Sequence, residues 1–418
     1  MMKKTIRVEI LNIGDELLNG TSVNTNATWL CGRCVQEGSN VLAVTMVGDS
    51  LEEILRALKR AASRSDLVVI TGGLGPTSDD RTKDAALAFF GGQMVPVASE
   101  IERIRQLFAE RGYPLTERNI QQGWIPDTTF NLGNPVGTAP GMEFIKDDTT
   151  FVFLPGVPAE MKAIFDQNFP RWFGREEISI RFIFSEMITV GIGESFVADT
   201  LSEWQNNLPG DLSLAFLPSA GLVKIRLSCF TDDTEATRLR INTLLSQAAE
   251  RFPGDAFMTG GASWDEYFHR ELLSTGKTIA TAESCTGGYL AHRITSVPGS
   301  SAYYKGSIVA YHNDIKEAYL GVPGEMLEAH GAVSREVVTL MAQQIRIKLN
   351  TGIGVAISGV AGPDGGTQEK PVGTAWIAVA DGAQSITKMF LMGSDRIRNI
   401  EKSTVMAMKM VLNLITSQ

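Results

Sequence analysis

The sequence predicts an α/β protein with more than one layered unit, on three observations. Short β-branched runs alternate with amphipathic helical stretches from residue 5 to about 170, and a second alternating series follows residue 263. Strands alternating with helices indicate a largely parallel sheet covered on both faces. At 418 residues the chain is also too long for one ordinary domain. Its 44% hydrophobic and 20% charged composition suits compact, sizeable cores.

In the first series, Ile6 to Ile13, Val41 to Val47 and Asp66 to Thr71 read as strands, and Phe151 to Leu154 as a further buried one. Ser50-Leu51-Glu52-Glu53 has the form of a capping box, followed by Ile54, Leu55, Leu58 and Ala62 at helical spacing. The texture changes from about 171 to 255, where Arg181 to Val190 and Leu222 to Phe230 read as strands of a small α+β segment. A second capping box, Ser263-Trp264-Asp265-Glu266, opens the last series. Its strands are Lys277 to Ala282, Gly306 to Tyr311, Ile353 to Ser358, Gly373 to Ala380 and Ser385 to Leu391, and a helix from Asp395 to Leu414 closes it. The expected domains are 1–170, 171–255 and 256–418.

Composition narrows the function. A net charge of −9 disfavours nucleic acid and anionic membranes as partners. The middle segment, with 8 basic and 12 acidic residues between Arg171 and Asp255, shares that balance. The opening Met1-Met2-Lys3-Lys4 resembles the head of a signal peptide, but Arg7, Glu9, Asp15 and Glu16 interrupt any apolar core. No apolar run reaches the roughly 18 residues of a membrane span. Cys31-Gly32-Arg33-Cys34 is formally a C-x-x-C, yet it lies in a helical pattern without a second pair, so two half-buried helix residues is the ordinary reading. A reducing compartment, the cytoplasm, is expected.

Two constellations carry chemistry. In the last series a strand runs into Glu283-Ser284-Cys285-Thr286-Gly287-Gly288-Tyr289, which sets Ser284 at a strand-to-helix turn. The N–H groups of the next helix are then candidate oxyanion donors, each worth about 3 kcal/mol in a dry site. In the ordinary alternative, Ser284 or Thr286 simply N-caps that helix. Tyr311 ends the next strand and Lys316 stands on the following turn. Ser–Lys pairing requires a desolvated lysine, and lowering its pKa by about three pH units takes roughly 4 kcal/mol. The loop Ser358-Gly359-Val360-Ala361-Gly362-Pro363-Asp364-Gly365-Gly366 and then Lys370-Pro371-Val372-Gly373-Thr374 suit close backbone approach to a ligand. Arg396 and Arg398 are candidate phosphate ligands or plain surface residues. Cys285 is a rival nucleophile, and His292 or His312 a rival base.

The second constellation is N-terminal: Asn12-Ile13-Gly14-Asp15-Glu16 after the first strand, and Thr71-Gly72-Gly73-Leu74-Gly75-Pro76-Thr77-Ser78-Asp79-Asp80-Arg81-Thr82 after another. A glycine loop feeding a helix cradles anions, and the neighbouring Asp residues can hold a hard cation; a glycine turn with an Asp N-cap is the bland alternative. Asn134-Pro135-Val136-Gly137-Thr138 and Leu154-Pro155-Gly156-Val157-Pro158 add two further loops.

Taken together, Glu-Ser-x-Thr-Gly-Gly, Gly-Ser-Ile-Val-Ala-Tyr, Ser-Gly-x-Ala-Gly-Pro-x-Gly-Gly and Lys-Pro-Val-Gly-Thr closely resemble the C-terminal domain of the CinA (competence/damage-inducible protein) family. The resemblance implies a C-terminal α/β/α domain that deamidates nicotinamide mononucleotide without a cofactor. Ser284 is then the nucleophile, Lys316 its general base and Tyr311 a supporting hydrogen-bonding group. Thr286, Gly287, Gly288, Gly359, Ala361, Gly362, Gly365, Gly366 and Arg398 would bind the substrate. The N-terminal part is similar to molybdopterin-binding proteins, which implies a three-layer α/β/α domain with metal-dependent ADP-ribose pyrophosphatase activity. Gly14, Asp15, Glu16, Gly72, Gly73, Gly75, Asp79 and Asn134 would form its nucleotide site, and Asp80 would hold a divalent metal of the Mg or Co type. The middle segment takes the place of the family's small α+β KH-like domain. Its glycines, Gly191-Ile192-Gly193, lack the basic Gly-x-x-Gly clamp of an RNA binder. A homodimer is the family expectation. The alternatives are that only the N-terminal phosphohydrolase works, or that the protein is a non-catalytic scaffold in competence or the DNA-damage response.

Overall fold

The structure, a computed structural model, describes residues 5–77, 80–173 and 180–416. The chain forms two compact units, Met1–Ile183 with Phe230–Thr234, and Phe184–Cys229 with Glu235–Gln418. Among the described residues no helix is long and apolar enough to cross a membrane.

The first unit holds β1 (Arg7–Ile13), β2 (Asn40–Val47), β3 (Leu67–Thr71), a small pair β4 (Met94–Pro96) and β5 (Trp124–Pro126), then β6 (Phe130–Gly133), β7 (Gly141–Lys146) and β8 (Thr149–Leu154). The main sheet runs β2-β1-β3-β8-β7-β6. Its first four strands are parallel, and the β6–β7–β8 end is antiparallel. Both faces are buried, as the expected three layers require. Leu11, Ile13, Val68, Ile70, Phe151 and Phe153 pack with Ile54, Leu58 and Ala61 of the helix Leu51–Ala62. Val8, Ile10, Val69, Val152 and Leu154 face the opposite way, onto Leu30 and Cys34 of Thr25–Gln36 and Ile164 and Phe165 of Pro158–Phe173. Each fully buried aliphatic or aromatic side chain contributes roughly 1.5–3 kcal/mol. Cys31 and Cys34 are free thiols on a helix, and burial pushes Cys34 up to about 12. The helix at Leu51 starts where expected, but Ser50 makes no capping bond. The Glu53 carboxylate instead lies beside Gly48, 3.5 Å from where a Cβ would stand.

In the second unit, except for the first three residues of β9 and the last two of β11, the strands β9 (Arg181–Val190), β10 (Ser213–Ser219), β11 (Leu222–Thr231) and β12 (Ala256–Met258) form a sheet in the order β10-β11-β9-β12. Then come β13 (Ile279–Glu283), β14 (Tyr304–Val309), β15 (Ile353–Gly359), β16 (Thr374–Ala380) and β17 (Ser385–Leu391), in the order β14-β13-β15-β16-β17. The first three are parallel and the last two antiparallel. One face carries Ile353, Val355, Ile357, Ile377 and Val379 against the helix Arg396–Thr416. The other is nearly all alanine (Ala280, Ala282, Ala356, Ala378 and Ala380), which lets the helix Arg335–Lys348 approach closely. At Gly354 a Cβ would strike the backbone carbonyl of Ala342. Ile188, Val190 and Leu222 of the middle sheet join the core of the last segment. The buried Lys409 bonds Val190 O at 2.8 Å and also reaches Asp255. The Ser263 box is made in full, Ser263 N donating to Glu266 at 2.8 Å and Glu266 N to Ser263 Oγ at 3.2 Å.

Candidate functional site

In the last sheet the chain passes from β13 to β14 on one side and then crosses to β15 on the other. The carboxyl end of β13 is therefore the topological switch point, where open α/β sheets leave a crevice. Ser284 follows β13 directly and is 8% exposed. Its backbone is fixed on both sides: Ser284 N donates to Ile357 O of β15 at 2.9 Å, and Gly287 N donates to Ser284 O at 3.0 Å. Lys316 is fully buried on the helix Asn313–Leu320, its Nζ donating to Ala310 O at 2.8 Å and Tyr311 O at 3.3 Å. Burial pushes its amine below the ordinary lysine range, and the neighbouring Cys285 thiol opposes that shift. Lys316 is thus close enough to Cys285 for the two groups to act on each other, and burial disfavours its charged form, as a general base requires. Cys285 itself is pushed up to about 12, chiefly by burial, so it is protonated at neutral pH and a poor nucleophile.

The helix after the turn departs from expectation. Glu283, with no exposed surface, directs its carboxylate onto the start of Tyr289–Thr295. Oε2 accepts from Thr286 Oγ1 at 2.7 Å, Gly288 N at 3.1 Å and Leu290 N at 3.0 Å, and Oε1 from Ala291 N at 2.8 Å. These helix N–H groups are occupied and are not oxyanion donors. Nor does Ser284 or Thr286 cap the helix, since the cap position is Gly288 and Thr286 donates to Glu283. The N–H groups of Cys285 and Thr286 make no hydrogen bond to another residue among those described, and they replace the helix as the donors nearest the nucleophile.

Tyr311 lies just past β14, which stops at Val309, and is 60% exposed. Arg396, at the start of the last helix, bonds the Tyr311 hydroxyl at 3.1 Å and Gly362 O at 2.6 Å, tying the β14 loop to the glycine loop. Arg398 is exposed, and its backbone N–H donates to Asp395 at 2.7 Å. Asn399, not singled out in the sequence, is buried and holds Ala361 O and Gly393 O, both at 3.0 Å. Gly359 ends β15, and Ala361, Gly362, Gly365 and Gly366 belong to the stretch after it. Gly373 has φ 90°, and a Cβ there would collide with Gly393 O. Of the rival bases, His312 lies 3.3 Å from Asp314, and His292 is on the helix Tyr289–Thr295, where it lines a different pocket.

The first sheet repeats the switch between β1 and β3, and a cleft of about 530 Å³ opens there. Gly14, Glu16, Gly72, Gly73, Gly75 and Asp80 line it, as do Asn12, Asn26, Asp49 and Gly156. Gly72 has φ 105°, and a Cβ would collide with Ile13 O, so only glycine lets the loop cross β1. Asp80 closes this loop, accepting from Gly75 N at 2.9 Å, Thr77 N at 2.9 Å and the Thr77 hydroxyl. Asp15 N donates to the Asp49 carboxylate at 3.1 Å, and Asp49 N donates to the Asp15 carboxylate at 3.2 Å. Asn134 is buried behind the wall, bonding Glu160 at 2.6 Å and Gly137 N at 2.8 Å. Asp79 lies outside the described residues. Among these no group of three or more His, Cys, Asp or Glu forms a metal cage. The oxygen donors suit an open site of the Mg type, in which one or two carboxylates act together with the ligand's phosphates.

Three family models match in succession: the probable molybdopterin binding domain over residues 9–172, the damage-inducible protein CinA KH domain over 185–257 and the CinA C-terminal domain over 262–415. A CinA-like protein of Cytophaga hutchinsonii is 41% identical over 100% of this chain and 99% of its own length. Another, from Salinibacter ruber, is 39% identical over 95% of this chain and 96% of its own. The solved protein CinA of Thermoplasma acidophilum, described as of unknown function, is 33% identical at a TM-score of 0.37, covering 40% of this chain and 98% of that one.

Proposed function

The chain belongs to the CinA family, and from that premise we propose that it is a bifunctional enzyme of pyridine-nucleotide recycling. Its C-terminal domain hydrolyses the carboxamide of nicotinamide mononucleotide to nicotinate mononucleotide and ammonia. The observation that carries this reading is the buried Lys316 amine, lowered in pKa, beside the Ser284 turn at the switch point of the sheet.

Ser284 Oγ attacks the carboxamide carbon while its proton passes to Lys316 Nζ. The carbonyl oxygen gains negative charge near the Cys285 and Thr286 N–H groups. Lys316 then returns the proton to the departing nitrogen, the C–N bond breaks and ammonia leaves. Water attacks the acyl-serine, Lys316 taking its proton and delivering it to Ser284 Oγ as the carboxylate product departs. Tyr311, held by Arg396, supports the substrate at the mouth.

The test is ammonia release from nicotinamide mononucleotide by the full chain; a wild type that releases none retires the reading. Its pH profile is a further prediction. Activity needs neutral Lys316, so kcat/KM rises with pH through a pKa below the ordinary lysine value of about 10.4. In the window between that pKa and the unfolded value, the folded state binds fewer protons, so Lys316 makes stability rise with pH. Replacement by Met removes this term, and Lys316→Met is expected to raise Tm more at pH 6 than at pH 9 while abolishing turnover. An equal Tm change at both pH values counts against a desolvated amine.

The N-terminal domain, in the same proposal, hydrolyses ADP-ribose in its cleft. A divalent cation of the Mg or Co type, held by Asp80, would neutralise charge on the pyrophosphate. Asp80 also shapes the loop, so Asp80→Ala is expected to lower ADP-ribose hydrolysis at least tenfold, read as cleavage of the pyrophosphate bond to AMP and ribose 5-phosphate. Asp80→Asn, which keeps one acceptor for the loop, separates loop closure from charge. Unchanged hydrolysis in Asp80→Ala removes Asp80 from the site.

A further inference from the structure

The floor of the N-terminal cleft is made by residues outside the glycine loop. Asn12 is the next-to-last residue of β1, Thr71 ends β3, and Asn26 lies in the first turn of Thr25–Gln36. All three line the cleft and are buried, at 1%, 3% and 8% exposure for Asn12, Thr71 and Asn26. Asn26 Nδ2 donates to Gly156 O at 2.7 Å, a carbonyl that only accepts, so the orientation of this amide is fixed. Asn12 Nδ2 and Asn26 Nδ2 both point at Thr71 Oγ1, at 3.1 and 3.5 Å. The Asn26 nitrogen is thereby turned into the protein by the Gly156 carbonyl, and Asn12 Nδ2 is directed the same way, onto the Thr71 hydroxyl. The two amide oxygens, Asn12 Oδ1 and Asn26 Oδ1, are buried and have no hydrogen-bond partner. A buried acceptor without a donor is destabilising, and here two residues of one small floor would carry that cost together.

We infer that Asn12 and Asn26 form an acceptor subsite that takes O–H or N–H donors from the sugar or base of a bound nucleotide. The inference rests on the ADP-ribose reading of this cleft. Two carbonyl oxygens repel phosphate and accept hydroxyl or amino hydrogens. The rim has the opposite character, because the N–H groups of Gly73 and Leu74 make no hydrogen bond to another described residue. Polarity therefore orients the ligand, with the donor-bearing end on the floor and the pyrophosphate at the loop. A cis-diol of either ribose or the adenine amino group supplies that chemistry.

The experiment measures affinity of the full chain for ADP-ribose and for analogues that each lack one donor. These are a deoxy form of the terminal ribose, a deoxy form of the adenosine ribose, and the hypoxanthine form. One analogue is expected to bind the wild type roughly ten- to a hundredfold more weakly, identifying the donor. That penalty should shrink below about threefold in Asn26→Ala or, should that variant misfold, in Asn12→Ala. ADP-ribose binding with every analogue within threefold, or a penalty equal in wild type and variants, overturns the subsite and leaves the ADP-ribose reading standing. Failure of ADP-ribose itself to bind overturns both.

Discussion

Ser284→Ala is expected to release ammonia from nicotinamide mononucleotide at least about a thousandfold more slowly than the wild type, with the same unfolding midpoint. The stability half follows from the contacts. Ser284 is held by its backbone, through Ile357 O and Gly287 N, and its hydroxyl makes no hydrogen bond to another described residue. Removing that oxygen leaves the turn intact. Activity depends on it because no other group at the turn is a competent nucleophile. Cys285 is adjacent, but burial holds its thiol near 12, and Gly359 packs against its sulfur, 3.1 Å from where a Cβ would stand. Cys285→Ala should therefore keep activity within about tenfold and lose some packing energy. Lys316→Ala should match Ser284→Ala, and the double variant should be no worse than either, since a nucleophile without its base and a base without its nucleophile fail at the same step. Ammonia release that survives in Ser284→Ala and vanishes in Cys285→Ala would transfer the nucleophile's role to the thiol.

How far the sequence announced this arrangement depends on the kind of interaction. Strand-and-glycine runs such as Thr278 to Gly288 placed Ser284 at the end of a strand, and the sheet order then set that end at the switch point. Both events depend on local pattern and chain crossing, which a sequence displays. The choice between Arg396 and Arg398 was not legible. Two residues apart on a helix they point some 200° apart, and which of them meets Tyr311 depends on where the helix starts, which Asp395 sets through the Arg398 N–H. Asn12 did carry a signal, a lone amide interrupting the apolar run Ile10-Leu11-Asn12-Ile13, but nothing local says that its partners are Thr71 and, through it, Asn26. The Ser50 and Ser263 patterns look alike in sequence, yet only the second makes its bonds. A capping box states what is possible, and packing around the helix start decides whether it forms. The middle segment's shared core with the last one is a long-range fact of the same kind.

Glu283 supplies the other large effect, and Glu283→Ala is expected to cost about 3–5 kcal/mol of stability and most of the deamidase activity. The carboxylate accepts four hydrogen bonds in a place without solvent, three from the N–H groups that open the helix Tyr289–Thr295. Alanine leaves those groups buried without partners and removes a negative charge from the positive end of the helix. The Ser284 turn lies between that carboxylate and the helix it caps, so loosening the cap frees the nucleophile. Glu283→Gln tests the two contributions. With its oxygen in the position of Oε2, glutamine keeps the three bonds made there, but its amide nitrogen faces the Ala291 N–H. About 1–2 kcal/mol of destabilisation is expected, measured by urea unfolding. With so small a loss the glutamine variant is expected to stay folded, and its kcat is then the informative number. A fall of tenfold or more with KM little changed shows that the charge and fit of the cap position Ser284. A glutamine enzyme with wild-type kcat would mean that Glu283 holds the helix alone, and an alanine variant with an unchanged unfolding midpoint would mean that the four bonds contribute nothing net.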